Sequence, residues 1–302
     1  NFFNQADPVQ DALFHQEDRL PFSFRWIEGK MTVTGDATHD GALPIGTVVA
    51  EIDGVTVREW AAALLPYVKG DGLRNEKRLA DLEITGTGYE AGDLYGNLVF
   101  PPRGRFAELK VQRPDEEATQ VIQVRRLGRE VRARRLFPEG PPSADALWEY
   151  RDLEPELGYL RLGTFSTWNL KRDWKAFLSE SLDKLRGKDA AILDLRGNEG
   201  GDDSVIYILA EFFARKPVSL AGMESRTRYR TFPADLRPFA SSWSNAYLDL
   251  TARTEESGDG WFRLRGGMGM SISPTPKAYA GRLYLLVDAA NSSATFTVAR
   301  LC

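Results

Sequence analysis

Two distant segments of the chain share one pattern: a short apolar run, a turn, and then residues with helical spacing. They are residues 190–201, AAILDLRGNEGG, and residues 283–296, LYLLVDAANSSATF. Strands that end in a turn and lead into a helix are the repeating element of α/β folds with a parallel sheet. Ligand sites in such folds lie at the carboxyl ends of the strands. The two segments therefore predict an α/β core with a site at these two turns.

The residues around the two segments extend this alternation. Residues 159–162 and 281–287 have strand patterns, and apolar residues recur at helical spacing over 174–185 and 205–213. Strands and helices of this length predict a mainly parallel sheet that is covered by helices, within residues 151–302.

Residues 221–280 interrupt this core and are interpreted as an insertion. The segment is rich in Arg, Ser, Gly and aromatic residues. Long irregular segments in compact domains often form lids or binding loops. A substrate wall over the core and a surface excursion without a role both remain open.

Residues 21–127 have the pattern of a small, mostly β domain with one or two helices. Asp53-Gly54 lies between two apolar stretches, which is a strong signal for a hairpin. A short helix is predicted at 60–65, before Pro66. Alternating apolar and polar residues predict two strands, at 106–112 and 119–125.

Two further segments complete the predicted organisation. Residues 1–20 are a polar, irregular N-terminal segment. Residues 128–150 are rich in Arg, Pro and Glu and are predicted to be a solvated linker, because acidic residues are interleaved with the basic ones. An anion-binding patch is the alternative for the arginines at 125–135.

Composition narrows the function classes. A length of 302 residues with 42% apolar content suits a globular chain of two domains. The net charge of −4 argues against a general nucleic-acid binder, and no apolar run is long enough to span a bilayer. The one cysteine, Cys302, allows neither an internal disulfide nor a cysteine metal site. The chain begins at Asn1 without a signal segment, and we expect the natural chain to continue beyond both ends.

The glycine-rich turn at 196–201 has two interpretations. Unpaired N–H groups at the start of a helix bind an oxyanion or a phosphate, but a tight turn without any ligand has the same composition. The turn lacks the Lys-Ser/Thr ending of a P-loop and the full spacing of a dinucleotide-binding motif.

Ser292 and Ser293 stand where the last helix is predicted to begin. Asn291 or Ser292 suits the role of a helix cap, so a purely structural role is open. A hydroxyl at the edge of a parallel sheet, beside a pocket of N–H donors, is also the minimum apparatus for acyl transfer. Such a hydroxyl needs a base. The two histidines, His15 and His39, both have the surroundings of surface residues.

Taken together, these segments resemble the C-terminal processing (tail-specific) and tricorn-core serine peptidases. The resemblance covers residues 20–302 and is sharpest at 192–201 and 291–295. Residues 158–165 resemble the strand that opens the catalytic core of that family, and the three segments follow in the same order. The resemblance implies a crotonase-like α/β core preceded by a PDZ-like domain.

The resemblance also implies roles for single residues. Ser293 falls at the position of the nucleophile, and the N–H groups of Gly201 and Ala294 at the oxyanion hole. The base of the processing peptidases is a lysine that follows the nucleophile helix, so we expect the base outside residues 1–302. In the tricorn branch a histidine lies upstream of the PDZ-like module, which makes His15 the candidate within the chain.

This sequence departs from the family pattern at the nucleophile and in the PDZ-like hairpin. Ser293-Ala-Thr-Phe296 stands where Ser-Ala-Ser-Glu is usual. In the hairpin at 43–57, Thr47 stands where an acid is frequent, and Asp53 replaces the usual Asn. These differences leave the subfamily open.

The predicted function is that of a serine-type endopeptidase with a PDZ-like module that holds peptide tails by strand addition. A catalytically inactive peptide-binding protein of the same fold is the alternative, because the base is missing and the serine motif is altered. A thioester enzyme of the crotonase fold is a third hypothesis, and it leaves the PDZ-like half unexplained. The expected partner is a peptide or protein substrate, the expected location is exported, and no metal, organic cofactor or nucleic acid is implied.

Overall fold

The structure is a computed structural model, and it describes residues 18–70, 75–86, 90–220, 225–239, 244–265, 270–273 and 275–302. The protein is a mixed α/β chain that divides by its contacts into two compact units. Among the described residues, the first unit holds those up to Ala146 together with Asp288–Ser292. The second holds those from Leu147 to Val287 together with Ser293–Cys302.

The first unit is built on an antiparallel sheet of six strands. The strands are β1 Phe22–Ile27, β2 Lys30–Asp36, β3 Val48–Ile52, β4 Val55–Thr56, β5 Phe106–Gln112 and β6 Gln120–Arg125. Their order is β1-β2-β3-β5-β6, and β4 pairs with β3. The predicted hairpin at Asp53-Gly54 is confirmed: both residues have positive φ, 50° and 80°, as a tight two-residue turn requires. The strands predicted at 106–112 and 119–125 are confirmed as β5 and β6.

Four helices accompany this sheet within the described residues: α1 Val57–Leu64, α2 Asn75–Asp81, α3 Ala91–Val99 and α4 Arg129–Leu136. Helix α1 begins with a capping box, in which Thr56 and Glu59 satisfy each other's backbone N–H groups. Helix α1 ends at Leu64, and a short 3-10 turn that contains Pro66 follows it directly. Trp60 of α1 packs edge-to-face on Phe24 of β1, with ring centroids 6.2 Å apart.

Helix α4 corrects the prediction that the arginine-rich stretch is a solvated connector. Arg132 is completely buried, and its guanidinium binds the carboxylates of Asp93 and Glu90 on and beside α3. A cation enters a protein interior when carboxylates pair with it and accept its hydrogen bonds. Residues 128–150 therefore include a packed helix of the first unit and, from Trp148, the first strand of the second unit.

The second unit contains three helices and nine short strands within the described residues. The helices are α5 Trp174–Arg186, α6 Ser204–Phe213 and α7 Ser293–Leu301. The strands are β7 Trp148–Glu154, β8 Leu157–Leu162, β9 Ala190–Asp194, β10 Val218–Leu220, β11 Arg226–Thr227, β12 Thr254–Glu256, β13 Phe262–Leu264, β14 Met270–Ile272 and β15 Arg282–Leu286. No helix in the described part of the chain is long and apolar enough to cross a membrane.

The main sheet of the second unit has the order β15-β9-β8-β7. The pairs β15–β9 and β9–β8 are parallel, and only β8–β7 is antiparallel. The core on this sheet joins Leu160, Leu193 and Val205 with apolar residues of all three helices. The strands and helices predicted from 159 to 213 and at 281–287 are thus confirmed.

The predicted insertion, 221–280, contributes antiparallel pairs in its described parts. Strands β11, β13 and β12 form a small sheet of their own, and β14 pairs with β10. The chain therefore leaves the main sheet after α6 and returns to it at β15, beside β9.

Candidate active site

The strands that carry the two predicted turns are neighbours. Strands β9 and β15 run parallel in register, with Asp194 opposite Leu286. One residue further, the Leu195 N–H donates to the Leu286 carbonyl at 2.9 Å. The glycine-rich turn and the serine turn therefore leave the same edge of the sheet from adjacent strands, where open α/β sheets place their ligands.

Asn198 fixes the shape of the glycine-rich turn. Its side chain is completely buried; the amide nitrogen donates to the Leu162 carbonyl at 2.7 Å, and the amide oxygen accepts from the Gly200 N–H at 2.8 Å. Gly197 and Gly200 have φ of 77° and 100°, which favour glycine. The sequence signal for this role is an asparagine between two glycines, which does not by itself distinguish an anchor from an ordinary turn residue.

Gly201 lies where only glycine fits. Its φ is 145°, and a Cβ would lie 2.1 Å from the Phe165 carbonyl carbon. Gly201 forms a parallel bridge with Phe165, in which Phe165 bonds to Gly200 and Asp202 on either side. In such a bridge the middle residue directs its own N–H away from the partner strand. The Gly201 N–H accordingly makes no hydrogen bond to any described residue.

Asp194 anchors the start of the same turn. The residue is 1% exposed, and its carboxylate accepts from the Arg196 N–H and guanidinium, at 2.7–3.0 Å, and from the Tyr159 hydroxyl at 2.8 Å. Burial alone raises the pKa of Asp194, but these hydrogen bonds outweigh it and lower the pKa to about 2. Asp194 is therefore an ionised structural anchor, already satisfied by its donors.

Asp202 ends the turn two residues before α6 begins at Ser204. Its carboxylate accepts from the Ser204 hydroxyl at 2.7 Å, the Ser204 N–H at 2.9 Å and the Thr167 hydroxyl at 2.8 Å. The Ser204 hydrogen bond is the main reason that the pKa of Asp202 is lowered. The negative charge also suits the N-terminus of a helix.

The serine turn is a compact loop that precedes α7. The Asp288 N–H donates to the Asn291 side chain at 2.8 Å, and the Asn291 N–H donates to the Asp288 carbonyl at 3.2 Å. Asn291 is thus engaged with Asp288.

Ser293 is the first residue of α7 and has an unusual backbone. Its φ is 53°, in the left-handed region that costs a residue with a side chain about 1–2 kcal/mol. The side chain is exposed, whereas the next two residues, Ala294 and Thr295, are 2% and 0% exposed. The helix start therefore holds one hydroxyl outward in a strained conformation, a feature that clusters at functional sites. Sequence patterns do not reveal such a φ.

Within the described residues, no side chain is assigned as the base for Ser293. His39 lies exposed in the loop that follows β2 of the first unit, and His15 lies outside the described residues. The second unit contains no histidine. The nucleophile, the oxyanion donors and His15 all stay predictions.

The model of peptidase family S41 matches residues 156–302. Over these residues the chain is similar to peptidase family S41. The match includes β8, β9, the glycine-rich turn, β15 and the start of α7. The predicted resemblance to this class of peptidases is confirmed for the second unit. No curated protein sequence resembles the chain closely enough to count as a match.

Solved structures of CPAF are similar to both units. The crystal structure of mature CPAF is 16% identical, with a TM-score of 0.55, over 94% of this chain and 66% of that one. Mature CPAF complexed with lactacystin is 16% identical, with a TM-score of 0.50, over 89% and 64%. A CPAF mutant is also 16% identical, with a TM-score of 0.51, over 92% and 65%. The chain spans slightly less than two thirds of these structures, and the likeness supports the mixed α/β fold.

Proposed function

We propose that the protein is a serine-type endopeptidase. Ser293 is the proposed nucleophile, and the N–H groups of Gly201 and Ala294 are the proposed oxyanion hole. The match of residues 156–302 to the S41 family model supports this reaction class. Ser293 carries the residue assignment, because an exposed hydroxyl with φ of 53° stands at a helix N-terminus that follows β15, beside the glycine-rich turn after β9.

The helix start suits a nucleophile. The first N–H groups of α7 have no partner within the helix and carry the positive end of its dipole. This field favours the negative charge that develops when the Ser293 oxygen attacks a peptide carbonyl. The general base takes the Ser293 proton as the Oγ–carbon bond forms and the carbonyl oxygen becomes an oxyanion. The oxyanion then collapses, the C–N bond breaks, and the amine leaves with the proton that the base returns.

The oxyanion donors would come from the two turns. The Gly201 N–H is directed away from Phe165 and meets no acceptor among the described residues. The Ala294 N–H belongs to the first turn of α7, where intrahelical acceptors are lacking. A donor of this kind contributes about 3 kcal/mol to transition-state stabilisation.

The proton from Ser293 needs a base, which we place outside the described residues. The resemblance favours a group beyond residues 1–302, with His15 as the candidate within them. Water then releases the acyl group with the help of the same base.

We further propose that the second unit is crotonase-like and the first PDZ-like. The parallel strands β15, β9 and β8 with helices between them support the first assignment. The hairpin at Asp53-Gly54 followed by α1 supports the second. A PDZ-like module would hold a peptide segment of the substrate.

The test of the nucleophile compares Ser293→Ala with Ser292→Ala in the full-length protein. An unfolded, fluorescently labelled casein serves as substrate. Ser293→Ala should lower the rate of hydrolysis about a thousand-fold or more, because the attacking oxygen is lost. The neighbouring Ser292→Ala should keep most of the rate. Unchanged hydrolysis by Ser293→Ala overturns the assignment.

The same assay separates the peptidase from the binding-only alternative. A purified wild-type protein that binds peptides and never cleaves them would support an inactive peptide-binding protein. Cleavage that depends on Ser293 excludes this alternative.

A further inference from the structure

The outer edge of β1 is covered by a short segment of the same unit. Strand β1 lies at one end of the sheet, so one row of its backbone N–H and C=O groups faces away from β2. Residues 82–86, Leu-Glu-Ile-Thr-Gly, lie along this edge; we call them the strap. Ile84 forms a single antiparallel bridge with Phe24.

The strap meets two alternate N–H groups of β1 in two different ways. The Phe24 N–H donates to the Ile84 carbonyl at 2.9 Å. The Trp26 N–H donates to the Glu83 side-chain carboxylate at 2.8 Å, and the same carboxylate accepts from the Arg25 guanidinium at 3.0 Å. A full strand would use its backbone at both positions. The strap therefore binds the Phe24 N–H through its backbone, as an added strand would, and binds the Trp26 N–H through the Glu83 side chain.

The apolar side chains of the strap pack into the core of the first unit. Ile84 is 1% exposed and Leu82 is completely buried. Both belong to the apolar cluster that contains Phe24 and Trp60. The strap thus supplies an acidic group to Arg25 and an aliphatic side chain to the cluster beneath the edge.

Contacts from α3 hold the strap in place. The Glu90 carboxylate accepts from the Thr85 hydroxyl at 2.6 Å and from the N–H groups of Thr85 and Gly86 at 2.5 and 2.8 Å. Glu90 is itself paired with the buried Arg132 at 3.0 Å. Gly92 of α3 lies so close that a Cβ there would be 2.3 Å from the Leu82 carbonyl oxygen. These contacts hold the strap independently of its hydrogen bonds to β1.

We propose that the β1 edge is a peptide-binding site that the strap occupies in cis. Its ligands are extended peptides with an acidic residue directly before a branched aliphatic residue, as in Glu83-Ile84. The strap is tethered at an effective concentration of about millimolar or more, so a free peptide binds only when the strap is displaced. This inference deepens the proposed peptide-holding role of the first unit and specifies both its ligand and its regulation.

The experiment measures hydrogen exchange of the Phe24 and Trp26 amides, with and without a peptide of residues 80–86, ADLEITG. The full chain carries Ser293→Ala, so that no peptide is cleaved. Glu83→Ala combined with Ile84→Gly disables the strap directly. Gly92→Ala displaces the strap because the new Cβ clashes with the Leu82 carbonyl, and it leaves the strap sequence unchanged. Glu108→Ala, on the exposed face of β5, is the control.

In the control and the parent, we expect slow exchange at both amides and no effect of the peptide. In the two strap variants, exchange should be at least ten times faster, and the peptide should slow it again. A scrambled peptide should not. Slow exchange of the Leu109 amide in β5 reports that the unit is still folded. If one strap variant loses this protection, the comparison uses the other strap variant.

Two results overturn the proposal: no protection by the peptide in a folded strap variant, or equal binding of the peptide by the parent. Neither result concerns Ser293, since every sample lacks its hydroxyl. Failure of the strap and failure of the proposed nucleophile are therefore distinguishable.

Discussion

At the scale of single residues, Asp194 couples the fold of the site to pH. The carboxylate is buried, and donors from Arg196 and Tyr159 keep it ionised with a pKa of about 2. An aspartate in the unfolded chain has a pKa of about 3.9. Because the folded-state pKa is the lower one, Asp194 stabilises the fold fully above pH ~4 and loses this contribution as pH falls toward ~2.

Asp194→Asn should therefore lower the free energy of unfolding by about 2 kcal/mol at pH 7. The asparagine also turns an amide N–H group toward donors that need an acceptor. Urea unfolding of both proteins from pH 7 to pH 2 measures the difference, which should shrink below pH ~4. Asp183→Asn, whose side chain is 70% exposed, is the control and should change little. A difference that stays constant with pH would contradict the assigned pKa.

The residues proposed for the chemistry could be chosen from the sequence, but the contacts that hold their turns in place could not. Ser293 and Gly201 stand at turns that the strand and helix patterns locate. The anchoring of Asn198 to Leu162, and of Asp194 to Tyr159, joins residues 36 and 35 positions apart. Local patterns contain no information on such pairings, and none on the φ of Ser293.

At the scale of elements, helix α4 shows where composition misleads. Four of its eight residues are arginines, which favours a solvated segment. Arg132 is buried nonetheless, because the carboxylates of Asp93 in α3 and of Glu90 just before α3 neutralise it. The long apolar stem of arginine also packs well in an interior. The strands and helices with regular apolar spacing were predicted closely, because burial of one face imposes that spacing.

Arg132→Met should cost about 3–5 kcal/mol of stability, because two buried carboxylates lose their counter-charge. Arg134→Met, on the exposed side of the same helix, should change the free energy of unfolding by about 0.5 kcal/mol or less. Urea unfolding, followed by circular dichroism, gives both values. Equal losses in the two variants would show that the Arg132 ion pairs contribute nothing beyond the helix itself.

At the scale of the whole molecule, each of the two units has a large apolar core of its own among the described residues. The first unites Phe22, Phe24 and Trp60 with their neighbours, and the second unites Trp148, Leu193 and their neighbours. The change from short antiparallel strands to alternating strands and helices already indicated two architectures in the sequence. The parallel pairing of β9 with β15 followed from that alternation, whereas the small sheets of the insertion did not, since their strands are only two or three residues long.

We expect the two units to unfold in two separate steps, because two-state unfolding is a property of single domains. Scanning calorimetry of the wild type should then show two transitions. Asp194→Asn should lower one by about 5 °C, and Arg132→Met should lower the other by more. Hydrogen exchange at Leu193 and Leu109 identifies which unit each transition belongs to. A single transition whose temperature both variants lower would contradict this prediction. It would show that the two cores unfold cooperatively, in one reaction.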